Sequence, residues 1–69
     1  MKYGALYRIM FHAKDKAATL ADLPPLDRQA WGTIEALRSF RMFDLWWSDL
    51  GDEHQNTAFD KVKKEIKTG

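Results

Sequence analysis

The chain is 69 residues long and carries eleven basic and ten acidic side chains, two histidines and no cysteine. That length allows one domain, residues 1–69, whose core buries only about 60% of the surface of the unfolded chain. Disulfides are excluded, His12 and His54 are too far apart to suggest a structural metal, and the net charge of +1 disfavours a protein whose main task is binding phosphates. Self-association or docking on a partner is therefore the expected additional source of stability.

The first third of the chain has apolar residues at helical spacing and predicts a helix from about Lys2 to Ala21. The residues that recur three and four apart are Tyr3, Leu6, Met10, Ala13, Ala17 and Leu20. A β-strand over residues 3–11 is the alternative, because apolar residues also alternate there, but the alanine-rich continuation favours a helix. Arg8 and His12 interrupt the apolar stretch, so we expect neither a signal peptide nor a membrane span.

Two successive prolines separate this helix from a second one, predicted over about residues 25–50. Proline lacks an amide donor and suits the first turn of a helix, so Pro25 can begin it, with Asp22 or Leu23 near the N-cap. Gly51 supplies the signal for its end.

The polar side of this second segment changes partway along it. At about 100° per residue, one side of the first half carries Arg28, Glu35, Arg38 and Ser39, and nearly the opposite side of the second half carries Arg41, Asp44 and Ser48. Two explanations remain open: the helix breaks near Ser39, or a straight helix is covered by different neighbours at its two ends.

A short third helix is predicted after residues 51–53. Thr57 followed by Asp60 resembles a weak capping box, which places His54 in the preceding loop. The residues beyond form an apolar edge of Phe59, Val62 and Ile66 beside the cations Lys61, Lys63, Lys64 and Lys67. The expected fold is all-α: a small three-helix domain, made of a helical hairpin and a short C-terminal helix, that forms a dimer.

No group of side chains indicates catalysis. Ser39 and Ser48 lie in no recognisable nucleophile motif, and the four glycines are too scattered for a phosphate-binding loop. His12 is expected to be partly exposed or at an interface, and His54 to be solvated. The run Asp49, Asp52, Glu53 and His54 matches no established cation-binding loop. We therefore expect no enzyme activity, no cofactor and no metal.

The most unusual segment is the aromatic run over residues 40–50. On a helix, one stripe holds Phe40, Phe43, Trp47 and Leu50, whereas Met42, Leu45 and Trp46 point elsewhere. One stripe can enter the core, and the other then needs a second covering surface, for which these residue types are typical. The alternative is that both stripes are buried in a three-helix core. The predicted partner-binding residues are Arg38, Arg41, Met42, Leu45, Trp46 and Trp47. The predicted core or dimer residues are Tyr3, Leu6, Met10, Phe40, Phe43 and Leu50.

Two other binding partners are less well supported by the pattern. A helix-turn-helix could contact phosphates through Arg28, Arg38 and Arg41, but acidic residues are interleaved with these arginines. A membrane-surface helix is disfavoured because Asp44 and Asp49 flank the tryptophans. The acidic residues before position 54 and the lysines after position 60 instead suit pairing within the chain or in an antiparallel dimer.

The pattern as a whole indicates binding without catalysis, and no motif is specific enough to name a family. The expected function is that of a small regulator or inhibitor that binds a larger protein in the cytoplasm, as cysteine-free chains commonly reside there. Its size and its lack of catalytic apparatus fit a phage- or mobile-element-encoded protein that acts on a host protein. The alternative is a small DNA-binding transcriptional regulator of the helix-turn-helix type.

Overall fold

The computed structural model describes residues 1–68, and within them the chain is all-α. Its five helices are α1 (Tyr3–His12), α2 (Lys16–Asp22), α3 (Pro25–Arg38), α4 (Arg41–Asp49) and α5 (Asp52–Thr68). The predicted all-α class is confirmed, but the predicted count of three helices is wrong. Each of the first two predicted helices is divided in two.

The first division lies between α1 and α2, at residues 13–15. Residues 3–11 are helical, so the strand alternative is wrong, but the helix ends at His12 instead of continuing to Ala21. Asp15 is the cause, because its backbone is extended and its carboxylate accepts a hydrogen bond from the amide of Ala18, as a typical N-cap does. Leu20 still packs against the core, which explains why the apolar spacing continues across the break.

The second division lies between α3 and α4, at Ser39 and Phe40. The Ser39 hydroxyl donates to the carbonyl of Ala36 at 2.6 Å, and the Ser39 amide also bonds to that carbonyl. Phe40 then adopts an extended backbone and α4 begins at Arg41. This break, one of the two explanations for the change of polar side, is the one that the structure contains.

The boundaries of the remaining helices differ partly from the predictions. Pro25 begins α3, as predicted, but the N-cap residue is Pro24 and not Asp22 or Leu23. The last helix, α5, begins at Asp52, so His54 and Thr57 lie within it and the predicted capping box at Thr57 is wrong. Its first turn carries two acidic residues, which the positive end of the helix dipole stabilises.

An aromatic cluster around Tyr3 forms the centre of the core. The Tyr3 ring stacks on Trp31 at 5.4 Å and meets the edges of Trp47 at 4.9 Å and Phe59 at 5.7 Å, measured between ring centroids. Four helices, α1, α3, α4 and α5, each contribute one of these rings. The buried apolar residues are Tyr3, Leu6, Met10, Leu23, Ala30, Trp31, Ile34, Trp47 and Phe59.

Candidate protein-binding surface

The helix α4 packs on the core with one side and presents an apolar surface on the other. Phe43, Trp47 and Leu50 face inwards and pack in or against the core. The outward apolar side chains of α4 are more than half exposed: Met42 80%, Leu45 56% and Trp46 52%. We call these three residues the α4 surface. Phe40, the N-cap residue before α4, is also exposed at 66% but is not part of this surface. Solvent exposure of three large apolar groups within five residues is unusual for a side of a helix that has no partner.

One predicted site residue lies elsewhere than predicted. The sequence predicts Trp47 at the partner-binding surface, but it is buried in the core because α4 turns that side towards Tyr3 on α1. The sequence predicts Phe40 in the core or at a dimer interface; the break before α4 leaves that ring exposed and therefore outside the core, and its place in a dimer stays a prediction. The other predicted core residues, Tyr3, Leu6, Met10, Phe43 and Leu50, all lie in or against the core.

Arg38 connects α3 to α4 and is not a free polar anchor. Its Nε donates to Asp44 at 2.8 Å, and its Nη1 donates to Glu35 at 3.2 Å and to the Tyr3 hydroxyl at 3.1 Å. Burial alone would lower the pKa of Arg38, but the Asp44 hydrogen bond and the Tyr3 hydroxyl outweigh it and raise the pKa above its ordinary value. Because Arg38 on α3 bonds both to Tyr3 on α1 and to Asp44 on α4, this network holds α4 in the orientation that exposes the α4 surface. Arg41, the second predicted anchor, is exposed.

Trp47 fixes the other end of α4 against α5. Its backbone carbonyl accepts a hydrogen bond from the Gln55 side chain at 2.9 Å. Its indole Nε1 is buried and, within residues 1–68, has no hydrogen-bond partner of good geometry. Burial raises the pKa of the nearby Tyr3 hydroxyl, and the Trp47 indole N–H lowers it by less. The Tyr3 hydroxyl therefore stays neutral to higher pH in the folded chain than in the unfolded one.

A groove continues the α4 surface onto α5. It has a volume of about 490 Å³ and is lined by Trp46, Leu50, Glu53, His54, Thr57, Ala58 and Lys61. His54, which the sequence predicts in a solvated turn, lies on the first turns of α5 at the edge of this groove. The apolar floor of the groove and the α4 surface share Trp46, so together they form one continuous apolar area.

A second exposed apolar area on α1 is missed by sequence reasoning. Tyr7 and Phe11 are exposed, Phe11 at 70%, and their rings stack at 6.3 Å. Ile9 is exposed as well, but at about 100° per residue it lies on nearly the opposite side of α1 and is not part of this area. The helical spacing itself could have found it, because these residues lie off the stripe that contains Tyr3 and Met10. Their alternation instead supports only the incorrect strand alternative. His12, beside Phe11, is exposed and its ring meets that of Phe11 edge-on at 5.2 Å.

Within residues 1–68, the C-terminal lysines form no ion pair with the acidic residues of positions 44–53. Pairing of these two groups within the chain is therefore not found, and their pairing in a dimer stays a prediction. Lys63 Nζ lies 3.1 Å from Asp27 on α3 and 3.4 Å from Asp60 on its own helix. Burial is the largest single effect and would lower the pKa of Lys63, but the hydrogen bonds and negative charges of Asp27 and Asp60 together outweigh it, and the pKa is raised. This ion pair holds α5 against α3 on the opposite side of α5 from the groove residues His54 and Lys61.

We expect alkaline pH to destabilise the fold. The pKa values of Tyr3 and Lys63 are both raised in the folded chain, from ordinary values of 10.0 and 10.5. The folded state therefore holds both protons more tightly, and their contribution to stability is complete below about pH 10 and is lost as the pH rises above it. Urea unfolding between pH 8 and pH 11 checks this, with a shallower decline expected for Tyr3→Phe. Equal free energies of unfolding at the two ends of that range would contradict it.

Metal sites, membrane spans and known relatives give no further information on this surface. Within residues 1–68, no group of three or more histidine, cysteine or acidic side chains could hold a metal ion. None of the described helices has the length and the apolar character needed to cross a membrane. No protein-family model, no curated protein and no solved structure matches this chain.

Proposed function

We propose that the chain is a non-enzymatic regulator or inhibitor that acts by binding another protein through the α4 surface. The observation that carries this proposal is the exposure of Met42, Leu45 and Trp46 on one side of a helix whose other side is well packed. Tryptophan, phenylalanine and methionine are enriched at protein interfaces, and tryptophan often supplies a large part of the binding free energy. Docking of a protein partner removes these apolar side chains from contact with water.

The orientation of α4 supports binding by a preformed surface. Arg38 holds the start of the helix through Asp44, and Gln55 holds its end through the carbonyl of Trp47. A surface that is already in its binding conformation loses little conformational entropy when a partner docks. The same network also favours a protein partner over a nucleic acid, because the charge of Arg38 is already paired with Glu35 and Asp44.

Photo-crosslinking from the α4 surface tests this function. A photo-reactive amino acid replaces Met42, and the full chain is irradiated in an extract of the cells that produce it. We expect a covalent adduct with a different protein, which excess unlabelled wild-type chain prevents and excess Leu45→Lys chain does not. The matched control places the same group at Gln29, an exposed position of α3, where we expect no such adduct.

Trp46→Ala gives the quantitative version of that test. The side chain is 52% exposed and its loss should leave the fold intact, while binding to the captured protein weakens by roughly 30-fold, equivalent to about 2 kcal/mol. Unchanged binding of both Trp46→Ala and Met42→Ala would mean that the α4 surface is not the site. If the chain instead binds DNA, with an affinity that falls steeply as salt is added, the alternative regulator is the correct class.

A further inference from the structure

The outward face of α4 is complementary to itself when one copy is turned antiparallel. Arg41 and Asp49 lie four residues before and four residues after Leu45. At about 100° per residue, each lies about 40° from the line of Leu45 and about 6 Å along the axis, in opposite directions. A basic group, an apolar group and an acidic group therefore follow one another along the exposed face.

The two charges are also placed against the dipole of their own helix. Arg41 is the first residue of α4 and Asp49 the last, and the last turn carries no basic residue. A cation at the positive N-terminal end and an anion at the negative C-terminal end are each unfavourable for an isolated helix. Within residues 1–68, neither side chain forms an ion pair that offsets this.

We propose that the α4 surface binds a second copy of this chain, with α4 antiparallel to its counterpart and the two-fold axis close to Leu45. In this arrangement Arg41 faces Asp49 of the partner subunit, and the same pair forms again on the other side of the axis. Each N-terminal end of α4 then gains an anion and each C-terminal end a cation, which corrects the unfavourable placement in both copies.

The apolar residues fit the same arrangement. Leu45 lies at the centre of the contact, and all three residues of the α4 surface are more than half exposed. Met42 and Trp46 lie about 60° and about 100° from Leu45 around the helix, both on the same side of it. Helices that pack in this way lie about 8–10 Å apart, a distance at which side chains of this size interdigitate. A standard interface needs about 800 Å² from each partner, roughly one sixth of the 5154 Å² surface of this chain. The α4 surface and the groove that adjoins it at Trp46 together form the area available for this.

The inference rests on the proposed function, because it uses the same surface and names one occupant of it. A dimer of this kind would keep the α4 surface covered until a target protein competes for it. Charge complementarity with itself is the reason for choosing a second copy as the occupant.

Charge reversal tests the inference with the full chain. Sedimentation of the wild-type protein over a range of concentrations should give a dimer. Arg41→Glu and Asp49→Lys should each weaken the dimer by about tenfold or more, because each puts like charges together at both pairs. Neither change should unfold the chain, since each improves the match between α4 and its dipole, and far-ultraviolet circular dichroism checks this.

Mixing the two variants separates a specific pair from a general effect of charge. In an equimolar mixture of Arg41→Glu and Asp49→Lys, a heterodimer brings opposite charges together at both pairs and should form as readily as the wild-type dimer. The double variant should also dimerise. Arg28→Glu, at an exposed position of α3, is the matched control and should leave the wild-type dimer unchanged.

The outcomes distinguish this inference from the proposed function. A wild-type chain that stays monomeric, or single variants that dimerise as well as the wild type, overturns the antiparallel dimer. The proposed function then still stands if photo-crosslinking from Met42 captures a different protein under competition. If the mixture restores the dimer but no different protein is captured, the dimer stands and the regulator does not.

Discussion

Trp47→Ala should unfold most of the chain, or reduce its free energy of unfolding by about 3–5 kcal/mol. The side chain is 2% exposed, its ring meets Tyr3 edge-on at 4.9 Å and stacks on Phe43 at 6.0 Å, and it joins α4 to the core. A chain of 69 residues has a total stability of roughly 3–10 kcal/mol, so this cavity removes a large part of it. Urea unfolding followed by circular dichroism measures the loss.

The neighbouring tryptophan is the matched control. Trp46→Ala removes the same side chain from the adjacent position, but its ring is half exposed and the change should alter the free energy of unfolding by less than about 0.5 kcal/mol. The two variants therefore separate a residue that holds the fold from one that is available for binding. Equal losses of stability in both would contradict an α4 that buries Trp47 and exposes Trp46.

The sequence separates these two tryptophans only in part. Helical spacing places Trp47 with Phe43 and Leu50, and this stripe is the one that packs inwards. The same spacing places Met42, Leu45 and Trp46 in a second group, and this group is the exposed one. Spacing cannot say which of two apolar stripes a small core will accept, and the predicted partner-binding set therefore wrongly includes Trp47. The orientation is decided by α3 and α5, through Arg38 and Gln55.

The number of helices is harder to predict than their faces. Ala13, Ala17 and Leu20 continue the spacing of α1, so the pattern carries no sign of a break, and only Asp15 acts locally as a cap. At Ser39 the pattern does change sides, and the break is one of the two explanations that it allows. A break is visible in a sequence when the two parts bury different sides, and is concealed when both bury the same side.

Lys63→Ala should reduce the free energy of unfolding by about 1–3 kcal/mol. Asp27 is 7% exposed, and Lys63 Nζ, at 3.1 Å, is its nearest cation. Removal of the ammonium group leaves the buried carboxylate without that partner. The free-energy cost of a buried carboxylate that has lost its partner is far larger than the lost attraction itself. The Lys63 side chain also covers the Phe59 ring, with Nζ 4.9 Å from its centroid.

Lys64→Ala is the control for charge and helix propensity, because Lys64 is exposed on the same helix and should be nearly neutral. The decisive comparison adds Asp27→Asn to the wild-type chain and to the Lys63→Ala chain. In the wild-type chain Asp27→Asn should destabilise, since it breaks the pair. In Lys63→Ala it should cost little or restore stability, because the charge that it removes has kept only the Met1 amino group, at 3.9 Å, as a partner. Additive losses would mean that the two side chains do not act as a pair.

Lys63 follows Phe59 by four residues and precedes Ile66 by three, which places it on the buried edge of α5. That spacing distinguishes it from the other lysines of the helix.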